Sequence, residues 1–428
     1  MEQTNHHSNI PTKTAIIACV AIGLFGVYQF SLQSSFATMA DNIEDSLHLT
    51  SVDISFIVAS YLIAFGFSQV FWGLLVDRFG AALVVPMTTL CLGAAVFFFS
   101  RSNSFTQVAL SRAGMGLCAA VIMPAFAGVA RKCFSMRGFS LALSICVSIV
   151  TMGGIVGNYA GYILGDLYGW RDTYSYAALI SIPVALFALF AIRYRNFPAI
   201  RAVQLKEGLA TFQTVSLPLR KLIFLPGVAR ACVIHTATSG ILFNFGSFWN
   251  IQIALAWKIP ESDCAFIGSA FYLGFAIGTP LVGWWAVHVG PRKPMIVSCV
   301  VGIAALLFWI LVPIVWPLWC DALNVFLVGL AISSYPISFI IASQFAPTRN
   351  TAAVIGIVNF VGIIAGTIFG LIPSVFTQVQ SLSELAQIQF GTMIFVVVLV
   401  VALIAAVGIP KRKPYKIARS GSIYFLDY

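Results

Sequence analysis

Charged side chains are scarce in this chain of 428 residues. They make up 9% of it, whereas 60% of the residues are hydrophobic and the mean hydropathy is +0.95. A soluble protein carries charges at about a quarter of its positions. Most of this protein's surface therefore faces something other than water, and a lipid bilayer is the simplest such environment.

Cysteine pairs and catalytic signatures are also missing. The nine cysteines are scattered and none forms a CxxC pair, which argues against a zinc site or a disulfide framework. The sequence has no GxxxxGK[ST] phosphate loop and no nucleophile elbow. We therefore expect no metal and no cofactor, and we expect the chain to be neither an enzyme nor an ATP-driven pump.

Twelve apolar runs are long enough to cross a bilayer as helices, which takes about 20 residues each. The runs are 14–40, 52–76, 81–100, 104–130, 138–165, 172–193, 227–256, 263–287, 294–316, 319–345, 351–378 and 388–410. They predict an all-α, polytopic membrane protein with two six-helix bundles, 14–193 and 227–410. The other segments are an N-terminal tail at 1–13, a linker at 194–226 and a C-terminal tail at 411–428.

Basic residues are distributed unevenly between the two predicted sides. Of the 24 Lys and Arg, only Arg101, Arg171 and Lys258 fall on the side opposite the termini, and Arg112 lies within a predicted helix. The positive-inside rule therefore predicts that both termini and the linker are cytoplasmic, in the plasma (inner) membrane. Topology and anionic lipid headgroups account for the net charge of +10, so we expect no nucleic-acid partner.

Two loops repeat each other 210 residues apart. The first contains Gly73, Asp77, Arg78 and Gly80, and the second contains Gly283, Gly290, Arg292 and Lys293. The fifth and eleventh predicted helices also share spaced glycines, at positions 153, 154, 157 and 161 and at positions 362, 366 and 370. These repeated motifs predict two homologous halves with pseudo-symmetry, an architecture known from secondary transporters.

The same features resemble the major facilitator superfamily. The first loop is similar to that family's GxxxDRxG loop, Arg112 with Gly116 looks like its RxxxG element, and Gly169-Trp170-Arg171 looks like its GWR turn. The resemblance covers nearly the whole chain and implies transport by alternating access. It also implies an inner gate, formed by Gly73, Asp77, Arg78, Gly80, Gly290, Arg292 and Lys293.

One departure from the family pattern bears on the direction of transport. The family's exporters often carry a Gly-Pro pair in helix five, whereas this chain has Gly157-Asn158. We therefore expect uptake by cation symport, with export of a drug or metabolite by proton antiport as the alternative. Proton and sodium both remain open as the coupling ion, and we expect a monomer in contact with membrane lipids.

Arg112 is a charge inside a predicted helix, roughly 10 Å from its end at 1.5 Å per residue. No acid lies in the middle of any predicted helix. An intramembrane cation is costly and usually faces a cavity or a partner. Two interpretations remain open: Arg112 binds an anionic group of an organic acid or amino acid, or it is a structural arginine bonded to carbonyl groups.

Polar residues recur in the predicted helices one, four, seven and ten, which line the cavity in the resembling family. The expected substrate contacts are Tyr28, Gln29, Gln33, Arg112, His235, Asn244, Asn250, Asn324 and Tyr335. Such side chains can instead bond helices to one another. His235 could also relay protons, and Asp53 is a second place where proton coupling could occur.

Overall fold

A computed structural model of the chain describes residues 12–133, 136–192, 223–312, 316–345, 351–379 and 381–410. These ranges are helical almost throughout and contain no β-strand. Most of both predicted tails and of the linker falls outside the described residues. Arg349 and the side chain of Asp77 fall outside them as well.

The helices fall into two groups along the chain. The first group is α1 (Thr12–Thr38), α2 (Ala40–Leu47), α3 (Ser51–Phe79), α4 (Ala81–Ser100), α5 (Phe105–Ala119), α6 (Ile122–Cys133) and α7 (Met136–Ala191). The second group is α8 (Pro226–Gly240), a π-helix (Ile241–Trp249), α9 (Asn250–Ala256), α10 (Glu261–Val289), α11 (Arg292–Leu311), α12 (Leu318–Ile332), α13 (Ile337–Phe345), α14 (Thr351–Phe376) and α15 (Glu384–Val407). We call these groups the N-terminal and C-terminal halves.

Ten stretches of the described helices are long and apolar enough to span a membrane by length and composition. One of them, Ala142–Ala191, has 50 residues and is broken at Gly169, where φ is 75° and ψ is 163°. The run from Pro226 to Ala256 is not among the ten, although it is helical without a gap through α8, the π-helix and α9. The predicted all-α, multi-pass fold is confirmed, and both observations favour twelve crossings over ten.

Two predicted helices are interrupted at corresponding positions of the halves. The predicted span 104–130 is divided into α5 and α6, and the span 319–345 is divided into α12 and α13. Pro336 lies in the second break, and Pro124 is the third residue of α6, just after the first break. A proline nitrogen has no hydrogen to donate to the carbonyl four residues earlier, so the helical ladder is lost there. Broken helices at matching positions of two repeats are typical of transporter binding regions.

Glycines let α7 approach α1 closely. A Cβ atom at Gly157 would lie 2.3 Å from the carbonyl oxygen of Ser31, so no larger residue fits without movement. A second close approach joins α14 to α8, where a Cβ atom at Gly366 would lie 2.8 Å from the Cα atom of Gly240. The offset from Gly157 to Gly366 equals the offset from Ser31 to Gly240, which supports homologous halves.

The two halves touch along two seams. In the first seam α7 packs against α10, and in the second seam α3 packs against α14. Between the seams, α1 contacts the π-helix. Large apolar side chains cover the outside, as at Phe190, which is 72% exposed, and Phe98, which is 66% exposed. An apolar exterior of this kind is expected where lipid is the solvent.

Candidate functional site

Four aromatic rings, which we call the central aromatic cluster, meet where the halves face each other. Phe30 of α1 and Phe65 of α3 come from the N-terminal half, and Phe243 of the π-helix and Tyr272 of α10 come from the C-terminal half. The Phe30 ring centre lies 5.4 Å from the Tyr272 ring centre and 6.5 Å from the Phe243 ring centre. The ring centres of Phe243 and Phe65 are 6.1 Å apart. The cluster is an uncharged surface shared by both halves.

A hydrogen bond joins the halves in the second seam, as part of a group we call the polar chain. Asn359 Nδ2 of α14 donates to Gln69 Oε1 of α3. Asn359 Oδ1 lies 3.1 Å from His235 Nε2, and His235 Nδ1 lies 2.7 Å from Ser338 Oγ. His235 is fully buried, with the ring centre of Tyr335 4.5 Å from its own. A predicted proton-relay residue thus belongs to a contact between the halves.

Two asparagines, which we call the amide pair, meet in the first seam. Asn158 of α7 and Asn250 of α9 both lie against Gly268 of α10: a Cβ atom there would be 2.9 Å from Asn158 Nδ2 and 3.0 Å from Asn250 Oδ1. Both side chains are fully buried, and neither Asn158 side-chain atom nor Asn250 Oδ1 has a hydrogen-bond partner in the described structure. Leaving one buried polar group unpaired costs about 1–3 kcal/mol.

Arg112 lies inside the N-terminal half. Its Nη1 donates to the Leu32 carbonyl at 3.3 Å, and its guanidinium carbon lies 4.6 Å from the ring centre of Phe36 and 4.8 Å from that of Tyr61. The Arg112 side chain is 1% exposed. Since aromatic faces attract a guanidinium group, this geometry fits the structural interpretation of Arg112 more closely than direct contact with a solute.

The predicted contacts on α1 also bond within the N-terminal half. Tyr61 donates its hydroxyl hydrogen to Gln29 Oε1 at 2.9 Å, and Tyr28 donates to the Ala177 carbonyl at the same distance. Gln33 is buried. Gln29 and Tyr28 therefore hold α1 against α3 and α7, and their contact with a solute stays a prediction.

Asn244 and Asn324 join helices within the C-terminal half. Asn244 Nδ2 donates to the carbonyls of Gly240, at 3.0 Å, and Gly366, at 3.1 Å. Asn324 Nδ2 donates to the Ala305 carbonyl at 3.1 Å, which ties α12 to α11. These bonds use the amide donors, as expected when polar residues hold membrane helices together.

The structure thus brings three predicted residues, His235, Asn250 and Tyr335, to the region between the halves. The sequence interpretation did not select Gln69 and Asn359 as solute contacts, and it noted Asn158 only as a missing proline. These amides do lie inside predicted membrane spans, which is the signal that could have identified them.

The predicted inner gate contains two equivalent glycine turns. Gly80 joins α3 to α4 with φ 81°, and Gly290 lies between α10 and α11 with φ 84°. Only glycine adopts such a backbone without strain.

The basic residues of the predicted inner gate differ in their surroundings. Arg292 Nη2 donates to the Val407 carbonyl at 2.8 Å, whereas Arg78 and Lys293 are exposed. A Cβ atom at Gly73 would meet nothing within 4 Å. Gating by these residues stays a prediction.

Acidic residues at the opposite end have local partners. Asp41 of α2 lies near Gln252 of α9, in the other half. Partial burial raises the pKa of the Asp41 carboxyl more than the Gln252 side chain lowers it, and the nearby Asp45 raises it further. Asp53 accepts from the Thr50 backbone N–H at 2.9 Å in a capping box at the start of α3. Helix capping therefore accounts for Asp53 without proton coupling.

Two helical halves that share a buried centre, in a chain with an apolar exterior, define a multi-pass membrane protein. Residues 18–370 match the family model described as Major Facilitator Superfamily. The chain belongs to this family, as its loop motifs predicted.

Curated relatives are similar over parts of their length. The riboflavin transporter RibZ of Clostridioides difficile is 23% identical over 41% of this chain and 37% of its own. The tetracenomycin C resistance and export protein of Streptomyces glaucescens is 28% identical over 39% of this chain and 30% of its own. The multidrug resistance protein MdtG of Klebsiella pneumoniae is 27% identical over 58% of this chain and 59% of its own. The chain therefore matches less than two thirds of each of these relatives.

A solved structure shares the fold over nearly the full length. A bacterial homolog of the human lysosomal transporter Spinster, in an inward-facing and unoccupied conformation, has a TM-score of 0.69 and 15% sequence identity. The match covers 92% of this chain and 97% of that one. At this identity the likeness establishes the fold.

Proposed function

We propose that the protein carries a small, planar organic solute across the membrane by alternating access and binds it at the central aromatic cluster. The observation that carries this proposal is the meeting of four uncharged rings from both halves. Ring-to-ring contacts contribute about 0.5–1.5 kcal/mol each beyond the area they bury. A flat solute between Phe30 and Phe243 would replace their contact with two of its own, so binding need not leave the rings without partners.

An uncharged, aromatic centre favours export of a drug or metabolite, which was the alternative in the sequence interpretation. The names of the relatives support the same class of cargo, because riboflavin is a fused-ring molecule and two other relatives are named for resistance. The missing proline beside Gly157 is an observation against export.

Uptake of an organic acid or amino acid by cation symport is the second candidate. It is favoured by Arg112, whose Nε atom is buried and has no hydrogen-bond partner in the described structure. A carboxylate could supply that partner through a charge-assisted bond. The guanidinium group would have to leave the space between Phe36 and Tyr61 to reach it, which is why this candidate comes second.

We propose the proton as the coupling ion and His235 as its carrier. The Ser338 hydroxyl lies 2.7 Å from His235 Nδ1 and also 2.7 Å from the Tyr335 carbonyl. When His235 is neutral, with its hydrogen on Nε2, this hydroxyl can donate to Nδ1. When His235 is protonated, Nδ1 can donate to Oγ while the hydroxyl turns to Tyr335. Both states keep their hydrogen bonds, which suits a group that gains and loses a proton.

We also propose the plasma (inner) membrane as the location, with both termini on the cytoplasmic side. The support is the basic excess on the side of the termini. Because the central aromatic cluster lies between two halves of one chain, a monomer in contact with lipid has everything that the proposed site requires.

Transport by the purified protein in liposomes tests the proposal. Riboflavin, tryptophan and benzoate serve as a planar neutral probe, an amino acid and an aromatic anion, each with imposed pH or sodium gradients. We expect Phe243→Ala to weaken riboflavin binding about tenfold, which corresponds to 1.4 kcal/mol, whereas the lipid-exposed control Phe98→Ala keeps it. Two results would overturn the first candidate in favour of the second. One is unchanged riboflavin transport in Phe243→Ala. The other is transport of benzoate alone, with loss of that transport in Arg112→Lys.

A further inference from the structure

We propose that the amide pair of Asn158 and Asn250 is a subsite that recognises a ring amide on the transported solute, meaning a C=O group with an N–H group beside it. This inference rests on the proposed function and narrows its solute class from planar molecules to planar lactams and imides. The argument uses the burial of the two side chains, their direction and the hydrogen-bonding groups they leave free.

Asn158 is the first part of the argument, because both of its polar atoms are unpaired. It is fully buried, and neither Nδ2 nor Oδ1 has a partner in the described structure. The great majority of buried polar side-chain atoms in proteins have at least one partner. A buried primary amide with a free donor and a free acceptor is thus suited to a ligand that carries both.

Asn250 is the second part, because its orientation is fixed by its neighbours. Its Nδ2 donates to the carbonyls of Phe245 and Gly246, at 2.7 and 2.6 Å, both within the π-helix. A π-helix changes the register of the backbone bonds, and the Phe245 carbonyl accepts from the backbone N–H of Asn250 as well as from its side chain. With its donor engaged, Asn250 presents Oδ1 as a second acceptor beside Asn158.

Gly268 is the third part, because the two amides converge on it. The position that its Cβ atom would occupy lies 2.9 Å from Asn158 Nδ2 and 3.0 Å from Asn250 Oδ1. One turn along α10, Tyr272 carries a hydroxyl group that is also buried without a partner, and its ring belongs to the central aromatic cluster. The amide pair is therefore continuous with the surface on which the ring system would lie.

The free groups define the ligand chemistry. Asn158 Nδ2 can donate to a ring carbonyl while Asn158 Oδ1 accepts from the adjacent ring N–H, and Asn250 Oδ1 can accept from a second N–H. A carboxylate has no hydrogen to give these acceptors. The primary amide of Asn158 and a ring amide can instead form two parallel hydrogen bonds. The subsite thus favours neutral ring amides over anions.

Two pairs of probes test the subsite on the purified full-length protein. Riboflavin carries an imide whose N–H is replaced by N–CH3 in 3-methylriboflavin, and 2-quinolone is related to N-methyl-2-quinolone in the same way. We expect the wild-type protein to bind the N–H member of a pair about tenfold more tightly, from one added hydrogen bond. Asn158→Leu should bind both members equally, with the affinity that the wild type has for the methylated one.

The matched control is Gln389→Leu, which removes an amide whose donor bonds to Ile310 on the far side of the C-terminal half. It should keep the wild-type preference. If the wild type transports planar probes but binds both members of each pair equally, the subsite is wrong and the proposed function stands. If Asn158→Leu weakens both members equally, the amides hold the halves together and do not contact the solute. If no planar probe is transported, the proposed function itself fails. The wild-type comparison is decisive even if Asn158→Leu does not fold.

Discussion

Replacing Asn359 with leucine should release the contact between the halves in the second seam. The change removes the bond from Asn359 to Gln69, the only member of the polar chain that lies in the N-terminal half. A lost hydrogen bond costs about 0.5–1.5 kcal/mol, and leaving Gln69 unpaired adds up to a further kcal/mol or so, because this side chain is only half-buried. A total of about 1–2 kcal/mol corresponds to a 5- to 30-fold shift between two states.

Spin labels at Arg78 and Lys293 can measure this shift. Both residues are exposed, and they occupy equivalent turns of the two halves at the predicted cytoplasmic end. In a cysteine-free background, we expect Asn359→Leu to increase the population with a long distance between the labels. The control Gln389→Leu, which removes a bond within one half, should leave the distribution unchanged. An unchanged distribution in folded Asn359→Leu would refute the idea that the polar chain holds this end closed.

Further predictions concern packing, backbone strain and pH. Gly157→Ala should lower the thermal unfolding midpoint, because overpacking against Ser31 costs about 1–3 kcal/mol. Gly73→Ala should not lower it, because its Cβ atom meets nothing and alanine suits the interior of α3 better than glycine does. Gly290→Ala should lower the same midpoint, because a backbone with φ 84° and ψ 161° costs a residue with a Cβ atom about 1–3 kcal/mol. The raised pKa of the Asp41 carboxyl means that the arrangement in the structure holds this proton more tightly than hydrated aspartate does. Burial of the Asp41 side chain of α2 near Gln252 of α9 should therefore be most stable below the ordinary carboxyl pKa and should weaken as pH rises through the raised value. Distances between labels on these helices would show it, and a pH response that persists in Asp41→Asn would contradict it.

The sequence was sufficient for the fold because lipid imposes a simple rule on composition. The long apolar runs predicted the membrane-spanning helices, and the glycine spacing predicted the two homologous halves. The structure also explains the pattern of Gly80 and Gly290, since both adopt a positive φ that other residues avoid. The breaks near Pro124 and Pro336 were not predicted, because average hydropathy stays high across a proline even where the backbone bonds are interrupted.

The site was harder to predict because helical periodicity tells which residues share a face and not what that face meets. Gln29 and Gln33 lie four residues apart and so share a face of α1, yet Gln29 bonds to Tyr61 within its own half. Asn158 lies one residue from Gly157, and the turn of about 100° between them directs one toward α1 and the other toward α10. Only the three-dimensional arrangement of the helices distinguishes those neighbours.

The position of Arg112 has a consequence for how the membrane voltage acts on the carrier. A unit charge that crosses the whole membrane gains about 2.3 kcal/mol per 100 mV. The guanidinium group is held within the N-terminal half by Phe36, Tyr61 and Leu32, so it moves only as far as that half moves. A displacement of about 3 Å in a hydrocarbon layer of about 30 Å would change its energy by only about 0.2 kcal/mol per 100 mV. Any strong voltage dependence of transport would then report the charge of the coupling ion or of the solute.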